Sequence, residues 1–437
     1  MINILGTNII ASLGFTTDEN FNAVKQGISG IKHYEAGVFD LPEPFMAALI
    51  DKERLNDEFA TISPENNYTN LEKAAILSVF YANKKTNIDL SNEKTIFILS
   101  TTKGNIELLD MRLLDMRYET SEISNLKSQI SNLKSHIYLW HTAELLTNFF
   151  HNPNTPVVVS NACISGAAAQ ILAMREIESG SYDHAVVVGV DLLSKFIISG
   201  FQSFKALSPE LCRPFDKDRC GLNLGEGAAT IIFGREIPDI RLSNMRYEIR
   251  DMRHETAPTE SQIPNLKSQI SLLCGAIRND ATHISAPSRT GEGSYRALKS
   301  ILSNPTSQIS HLTSQISFIN AHGTATPYND AMEMNAIARA GLEQIPVNSL
   351  KPYFGHTLGA AGVIETIISM RALNEGLILK TLGFEENEQL IINNEQFTLN
   401  VCKENRITDK NCFIKMMSGF GGVNATLLFA TNYTDLH

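Results

Sequence analysis

The chain has 437 residues, with 37 lysines and arginines against 47 aspartates and glutamates, so its formal net charge is −10. A chain of this length can bury a large core without disulfide or metal staples, and it predicts two or three domains or one large two-part fold. The acidic balance argues against a dedicated nucleic-acid-binding protein, because such proteins carry a basic surface that neutralises phosphates.

The N-terminal residues 1–14 (MINILGTNIIASLG) lack the basic leader of a secretory signal peptide, so we interpret them as a first strand and turn. No run approaches the roughly 18 apolar residues of a membrane-spanning helix. The few cysteines are typical of a reduced, cytoplasmic protein, and their spacing contains no CxxC pair that would favour a metal site. They lie at positions 163, 212, 220, 274, 402 and 412.

Short β-branched runs alternate with helical patterns along the chain, which indicates an α/β architecture. The predicted strands are residues 95–99, 156–160, 184–190, 228–233, 316–320 and 425–430. The two clearest helical patterns are residues 166–179 and 360–373, and both begin with small residues.

A sequence repeat interrupts this pattern. Residues 115–131 (DMRYETSEISNLKSQIS) have a near copy at residues 251–271, and a shorter echo covers residues 307–317. The copies are polar and too few to stack as a solenoid, so we interpret them as surface insertions, with a specific docking element as the alternative. The insertions are placed at about residues 110–136, 241–271 and 305–317.

The segment VVVSNACISGAAAQILA places Cys163 between a predicted strand and a predicted helix. The positive end of the helix dipole is expected to lower the pKa of this thiol and to favour the nucleophilic thiolate. The small residues that follow leave room for a substrate. On this segment alone, a buried structural cysteine is the alternative.

Polar residues also cluster after the predicted strand at residues 316–320. His322 lies there in a loop rich in glycine and threonine, where side chains at the end of a strand often face a pocket. Thr324 and Thr326 can donate hydrogen bonds or cap turns, and Asp330 is expected to be the N-cap of the next helix. A histidine satisfied within the core is the alternative for His322.

A third group of candidates lies in the segment NSLKPYFGHTLGAAGVIETII. Lys351 and His356 precede the apolar helix, and Glu365 lies inside it. A carboxylate on so apolar a segment is costly to bury unless it is paired, so Lys351 and the region of His356 are its expected partners. A glutamate on the helix surface is the alternative.

A glycine-rich segment (GFGG, residues 419–422) precedes the last predicted strand. It can aim backbone N–H groups at an oxyanion or form a plain turn. The chain contains no GxxxxGK[ST] phosphate loop, and the GEG motif at residues 225–227 precedes a strand rather than a helix. Chemistry that depends on nucleotides is therefore not expected.

Taken in order, these segments resemble the β-ketoacyl-acyl carrier protein synthases of the elongating Cys-His-His type. The matching stretches are NACISGAA, RPFDKDRCG with LGEGAA, NAHGTATPYND, KPYFGHTLGAAGVIE and GFGGVNATL. The resemblance implies an α/β thiolase-like fold, in which two similar α/β halves form a five-layered αβαβα arrangement. We expect residues 1–240 to form the half with the nucleophile and residues 241–437 the half with the two histidines.

The resemblance also implies catalytic roles. Cys163 would accept an acyl chain as a thioester. Neutral His322 and His356 would donate hydrogen bonds to a malonyl thioester while it loses its carboxylate. Lys351 and Glu365 would form a supporting ion pair that orients the histidines.

The remaining site residues implied by the resemblance surround the thiol. The backbone N–H groups of Cys163 and Phe420 would form the oxyanion hole, and Phe420 with Gly421 would form a gate. Ser418 stands where the family commonly has an aromatic residue, which affects the gate or the acyl pocket. The expected substrate-binding residues are Thr324, Thr326, Ile164 and Ser418.

The implied activity is the decarboxylative Claisen condensation of a Cys-bound acyl chain with malonyl-acyl carrier protein, in fatty acid or polyene and polyketide biosynthesis. The implied enzyme is a cytoplasmic acyltransferase without a metal or other cofactor. Its expected partners are acyl carrier protein, malonyl and acyl thioesters, and a second synthase chain in a homodimer or heterodimer. Neither nucleic acid nor a membrane span is expected.

Three alternatives to this activity are weighed against the same residues. A non-catalytic chain-length partner would lack the nucleophile, whereas this chain has Cys163 and both histidines. An initiating or plant-type synthase would have asparagine where this chain has His356. A biosynthetic thiolase would need a second active cysteine in a CxG motif, and Cys412 does not lie in one.

Overall fold

The computed structural model describes residues 2–64, 67–86, 88–109, 134–235, 269–303, 312–387, 390–392 and 395–431. The first copy of the sequence repeat lies outside these residues, as does the expected boundary near residue 240. The described chain resumes within the last residues of the other two copies, where residues 270 and 316 begin strands. The interpretation of the copies as surface insertions therefore stays a prediction.

The first half of the described chain alternates strands and helices. Its strands are β1 (Ile2–Ala11), β2 (Lys32–Tyr34), β3 (Phe45–Ala48), β4 (Thr95–Ser100), β5 (Val157–Val159), β6 (His184–Asp191), β7 (Leu224–Gly225) and β8 (Gly227–Gly234). Its α-helices are α1 (Thr17–Gln26), α2 (Lys52–Ala60), α3 (Asn70–Asn83), α4 (Leu139–Phe149), α5 (Ser165–Glu178) and α6 (Lys195–Ser203). Short 3₁₀ helices cover Val38–Asp40 and Lys134–Ile137.

The second half continues the alternation. Its strands are β9 (Ile270–Asn279), β10 (Ile316–Asn320), β11 (Val347–Asn348), β12 (Leu377–Ile378), β13 (Leu390–Ile392), β14 (Glu395–Phe397), β15 (Arg406–Ile407), β16 (Cys412–Gly419) and β17 (Val423–Thr431). Its α-helices are α7 (Glu292–Leu302), α8 (Leu312–Gln315), α9 (Pro327–Arg339), α10 (Lys351–Phe354) and α11 (Ala361–Asn374). A 3₁₀ helix covers Leu358–Ala360.

Within the described residues, the main sheet consists of two five-stranded arrays with the same topology. The strand order is β5-β4-β6-β8-β1 in the first array and β11-β10-β16-β17-β9 in the second. In each array the three outer strands are parallel and the other pairs are antiparallel. The arrays join where β1 pairs with β9. This repetition confirms the two similar α/β halves predicted from the sequence.

The helices form layers on both sides of each array. Helices α5 and α11 pack against each other and contact strands of both arrays, while α3 covers the other face of the first array and α7 that of the second. Alternate side chains of β6 lie on opposite faces of the sheet. Ala185 and Val187 belong to the central core, and Val186 and Val188 pack toward α3. The order is therefore helix, sheet, helix, sheet, helix, as the five-layered prediction requires.

The central helices approach each other through glycine. A Cβ atom added to Gly362 of α11 would lie 2.6 Å from the backbone nitrogen of Ala167 in α5, and one added to Gly166 would lie 3.0 Å from the nitrogen of Val363. Small residues are therefore needed at the start of both helices, because larger ones would push the backbones apart. In the described part of the chain, no helix has both the length and the apolar character to cross a bilayer.

Replacing Gly362 by alanine should destabilise the fold, because the new methyl group would meet backbone atoms of α5 that cannot move aside independently. Overpacking of this kind costs about 1–3 kcal/mol of unfolding free energy. Chemical denaturation of Gly362→Ala measures the loss. The control is Gly200→Ala in α6, where a Cβ would have no neighbour within 4 Å. Equal stability of the two variants would contradict this account of the helix contact.

Candidate active site

Cys163 lies at a tight turn between β5 and α5. Ala162, the residue before it, has a φ of +46°, a conformation that costs a non-glycine residue about 1–3 kcal/mol and persists only where its surroundings enforce it. Ser165 provides this support, because its hydroxyl accepts a hydrogen bond from the Asn161 N–H at 2.7 Å and donates to the Ala162 carbonyl at 2.6 Å. The turn therefore holds the thiol at the start of the helix.

His356 faces the thiol from the other half of the molecule. Its Nε2 lies 3.0 Å from the Sγ of Cys163. The N–H of Leu358 donates to His356 Nδ1 at 3.3 Å, so Nδ1 carries a lone pair and the neutral ring carries its proton on Nε2. The ring is thereby set to donate toward the sulfur.

His322 also has its Nε2 free to face the site. The Nζ of Lys351 lies 3.3 Å from His322 Nδ1, and an ammonium group can only donate, so Nδ1 must accept. The proton of the neutral ring is again on Nε2. The two imidazole rings are nearly perpendicular with centroids 5.0 Å apart, and the ligand atoms of Cys163, His322 and His356 all lie within 4.8 Å of one another.

Burial and charge determine the protonation of this trio. Burial, followed by the charge of Lys351, holds the pKa of both His322 and His356 well below the ordinary 6.5. Burial also raises the pKa of the Cys163 thiol to about 11, although the charges of Lys351 and Lys103 act in the opposite direction. The expectation of a lowered thiol pKa was therefore wrong in direction, because desolvation outweighs the effect of the helix terminus.

A Cys-His-His cluster of this size has the spacing to hold a metal ion. A metal needs lone pairs on the nitrogens that face it, however, and here both Nδ1 atoms are occupied by donors, which leaves protons on the inward Nε2 atoms. Among the described residues this is the cluster with metal-ligand spacing. Its hydrogen bonds favour proton donation over metal coordination.

Lys351 is held by the partner expected from the sequence. Its Nζ donates to Glu365 Oε1 at 2.5 Å and to the backbone carbonyl of His322 at 3.0 Å. A second lysine was missed: Lys415 of β16 donates to Glu365 Oε2 at 2.5 Å. Its only sequence signal is a charged residue inside the apolar run CFIKMM.

Two buried carboxylates shape the loop that carries His322. Glu333 accepts the N–H groups of His322 and Gly323, both at 2.7 Å. Asp330 accepts the N–H groups of Thr324 and Ala325 at 3.0 and 3.1 Å. Glu333 was not singled out from the sequence.

The predicted role of Asp330 needs correction. Helix α9 begins earlier than expected, with Thr326 as its N-cap and Pro327 at the first position. Asp330 therefore lies in the first turn, and its carboxylate fastens the preceding loop instead of capping the helix. Thr324 and Thr326 have hydroxyl groups 2.9 Å apart, and both line the cavity above the thiol.

The trio lies in an open cavity of about 520 Å³. Phe420 borders this cavity, is 41 % exposed, and packs on Phe201 and Phe204 with ring centroids 6.1 and 5.5 Å away. Gly419 approaches the nucleophile closely, since a Cβ there would lie 3.1 Å from the Cys163 nitrogen. Because residue 419 is glycine, the backbone of the GFGG segment can lie next to the backbone of Cys163.

The other candidates occupy different positions around the cavity. Gly421 adopts a φ of +87°, and its N–H donates to the Ile284 carbonyl at 2.6 Å, which anchors the GFGG segment. Ser418 lines the cavity and donates to Asn424 Oδ1 at 2.9 Å. Ile164 is fully buried in the central core and does not line this cavity, so its contact with an acyl chain stays a prediction.

Alkylation of Cys163 by iodoacetamide should accelerate with pH. The raised pKa leaves little thiolate at neutral pH, and its fraction grows about tenfold per pH unit below the pKa. Peptide mass spectrometry between pH 7 and 9 measures the rate. Lys103→Met should slow the reaction at any one pH, because the lysine charge lowers the thiol pKa. A rate that levels off below pH 8 would contradict the predicted protonation state.

Comparisons with known proteins agree with this geometry. A family model described as the N-terminal domain of beta-ketoacyl synthase matches residues 1–236, and one described as the C-terminal domain matches residues 271–385. Among solved structures, the ishigamide ketosynthase/chain length factor has a TM-score of 0.80 with 22 % sequence identity, over 98 % of both chains. This likeness confirms the thiolase-like fold.

Curated relatives carry matching names. A mitochondrial 3-oxoacyl-[acyl-carrier-protein] synthase of Arabidopsis thaliana is 33 % identical over an alignment of 301 positions that covers 64 % of this chain and 57 % of that protein. The 3-oxoacyl-[acyl-carrier-protein] synthase 2 of Rhizobium meliloti is 31 % identical over an alignment of 287 positions that covers 63 % of this chain and 60 % of that protein. The chain thus spans less than two thirds of the length of these relatives. With more than half of its residues matched by the N-terminal domain model, the chain belongs to the β-ketoacyl synthase family.

Proposed function

We propose that the protein is a β-ketoacyl-acyl carrier protein synthase, an acyltransferase that joins a Cys163-bound acyl chain to malonyl-acyl carrier protein and releases CO₂. One observation supports this most directly: the thiol and two imidazoles have ligand atoms within 4.8 Å of one another at one cavity, and the donors to both Nδ1 atoms leave the imidazole protons on Nε2. A non-catalytic chain-length partner would have no use for such a thiol.

The first half-reaction transfers the acyl group. The Cys163 sulfur attacks the thioester carbonyl, the bond from that carbon to the carrier sulfur breaks, and the thiol proton ends on the departing carrier thiol. The start of α5 and the charges of Lys351 and Lys103 favour the thiolate during attack. The N–H groups of Cys163 and Phe420 are the proposed donors to the tetrahedral oxyanion.

The second half-reaction forms the carbon–carbon bond. The Nε2–H groups of His322 and His356 donate to the malonyl thioester oxygen, so that the electron pair left by CO₂ is held as an enolate. The malonyl C2 then attacks the acyl carbonyl carbon, the bond from that carbon to the Cys163 sulfur breaks, and the thiolate takes up a proton from solvent. Uncharged donors suit this step because they stabilise the enolate without protonating its carbon.

The cavity lining at Ser418 and Asn424 bears on the choice of acyl chain. Ser418 stands where an aromatic residue is common in the family, and it shares the acceptor Asn424 Oδ1 with Ser294, at 2.9 and 2.8 Å. Hydroxyl and amide groups at this position favour chains that keep polar groups or unsaturation. We therefore favour a polyene or polyketide pathway over primary fatty acid synthesis.

A second synthase chain and an acyl carrier protein are the proposed partners. Strand β5 lies at the edge of the main sheet and its valines are partly exposed, which supports pairing with another chain, in a homodimer or a heterodimer. Lys205 and Phe204, both exposed at the cavity mouth, offer a cationic and an apolar contact for an acidic carrier. The six cysteines, all free in the structure, are consistent with a cytoplasmic location.

Purified protein tests the activity directly. With an acyl-carrier protein donor and malonyl-carrier protein, mass spectrometry should detect an acyl adduct on Cys163 and a β-ketoacyl product. His322→Ala and His356→Ala should each slow malonyl decarboxylation by a factor on the order of 10², the cost of losing one such donor. His33→Ala, which removes an exposed imidazole outside the cavity, is the control. Full decarboxylation by both cavity variants would refute the assignment.

Charge reversal at the cavity mouth tests the partner. Lys205→Glu should weaken binding of an acidic carrier protein and reduce the loss of affinity as salt is added, because one screened attraction becomes a repulsion. Isothermal titration between low and physiological salt measures both effects. Lys85→Glu changes the charge equally at an exposed position that does not line the cavity. Equal weakening by the two substitutions would rule out docking at the mouth.

A further inference from the structure

Glu365 binds two lysines that are buried as deeply as itself. Lys351 approaches one carboxylate oxygen and Lys415 the other, both at 2.5 Å. The two lysines are fully buried and Glu365 is 2 % exposed. A carboxylate with one ammonium group would already be neutralised, so the second ammonium needs further compensation, to which the buried carboxylate of Glu333 contributes.

Apart from Glu365, the two lysines donate hydrogen bonds to different acceptors. Lys351 donates to Glu365 and to two atoms of His322, the ring Nδ1 and the backbone oxygen. Lys415 donates to Glu365 and to the carbonyl of Ala321, at 3.3 Å, the residue immediately before His322. Lys415 does not line the cavity. It therefore acts on a substrate without touching it, through the groups that it holds and through its charge.

We propose that Lys415 is a positioning residue for the malonyl half-reaction, which holds Glu365 so that Lys351 remains directed at His322 Nδ1. This inference rests on the proposed function for its kinetic consequence, but its structural part concerns the tautomer of one histidine. Through Ala321, Lys415 also fixes the backbone at the point where β10 ends and the His322 loop begins.

The electrostatics of Lys415, Lys351 and His322 agree with this role. Burial lowers the pKa of Lys415 to about 8 while the Glu365 carboxylate raises it, so the ammonium form prevails at neutral pH. After burial, which has the largest effect, the charges of Lys351 and Lys415 lower the pKa of both His322 and His356. Lys415 thus supports the neutral imidazole that donates from Nε2.

Removing Lys415 would free the second oxygen of Glu365. That carboxylate could then turn both oxygens toward Lys351 and draw its ammonium group away from His322. The ring would lose the donor that keeps Nδ1 unprotonated, and part of the population would carry its proton on Nδ1 with no donor facing the malonyl thioester. His356, whose Nδ1 is held by the N–H of Leu358, would keep its tautomer.

The experiment compares Lys415→Met with wild type in the two half-reactions. Decarboxylation of malonyl-carrier protein should fall about tenfold or more, the effect of a misplaced reacting group, whereas acylation of Cys163 should stay within about threefold. Lys73→Met, which replaces a buried lysine of α3 that binds Asn56, should leave both rates near wild type. An equal fall in both half-reactions, or no fall, would overturn the proposal.

A second readout does not depend on activity. The ¹⁵N shifts of labelled histidine should show His322 protonated on Nε2 in wild type and a mixture of tautomers in Lys415→Met. An unchanged tautomer would overturn the positioning role. A wild-type chain that shows the expected tautomer but never decarboxylates malonyl-carrier protein would instead refute the proposed function.

A third variant distinguishes loss of the ammonium group from loss of folding. Lys415→Ala removes the buried ammonium group beside Glu365; added ammonium or methylammonium offers N–H donors to replace it, whereas tetramethylammonium lacks them. Recovery of decarboxylation with the first two cations and not with the third would support a hydrogen-bonded positive charge as the active element. The proposal is overturned if these cations restore Lys415→Ala to wild-type stability and decarboxylation does not recover.

Discussion

The ammonium group of Lys351 joins three parts of the site. It is fully buried, and its hydrogen bonds reach the His322 ring, the His322 backbone and the Glu365 carboxylate. A buried cation that lost these acceptors would be strongly destabilised, so the loop after β10 and helix α11 are held in one relative position. The direction in which His322 donates follows from this constraint, since the ring must present a lone pair to the lysine.

The duplicated architecture places the reactive groups opposite each other. In the first half a strand leads through Cys163 into α5, and in the second half a loop leads through His356 into α11. The two helices touch at Gly166 and Gly362, so their starts lie side by side. The short distance between the sulfur and the imidazole is therefore a consequence of two helices that approach to backbone contact, and no long loop is required to bring the groups together.

The sequence allowed much of this arrangement to be predicted, for identifiable reasons. Cys163, His322 and His356 could be found because each lies in a polar loop beside a strongly apolar strand or helix, and Glu365 because an unpaired carboxylate cannot remain in such a helix. Lys415 could not be found, since nothing in a strand pattern reveals which residue faces a distant carboxylate. The direction of the thiol pKa was wrong because the extent of desolvation depends on packing that the sequence does not display.

Strand β16 connects features of the site that would otherwise be considered separately. Within six residues it carries the buried ammonium of Lys415, the cavity hydroxyl of Ser418 and the aromatic ring of Phe420 just beyond its end. A graft that replaces this whole segment to alter the cavity would also remove the ammonium group behind His322 wherever the donor segment has no lysine at this position. A chimera with its junction after residue 415 would keep Lys415 while it exchanges the residues that border the cavity.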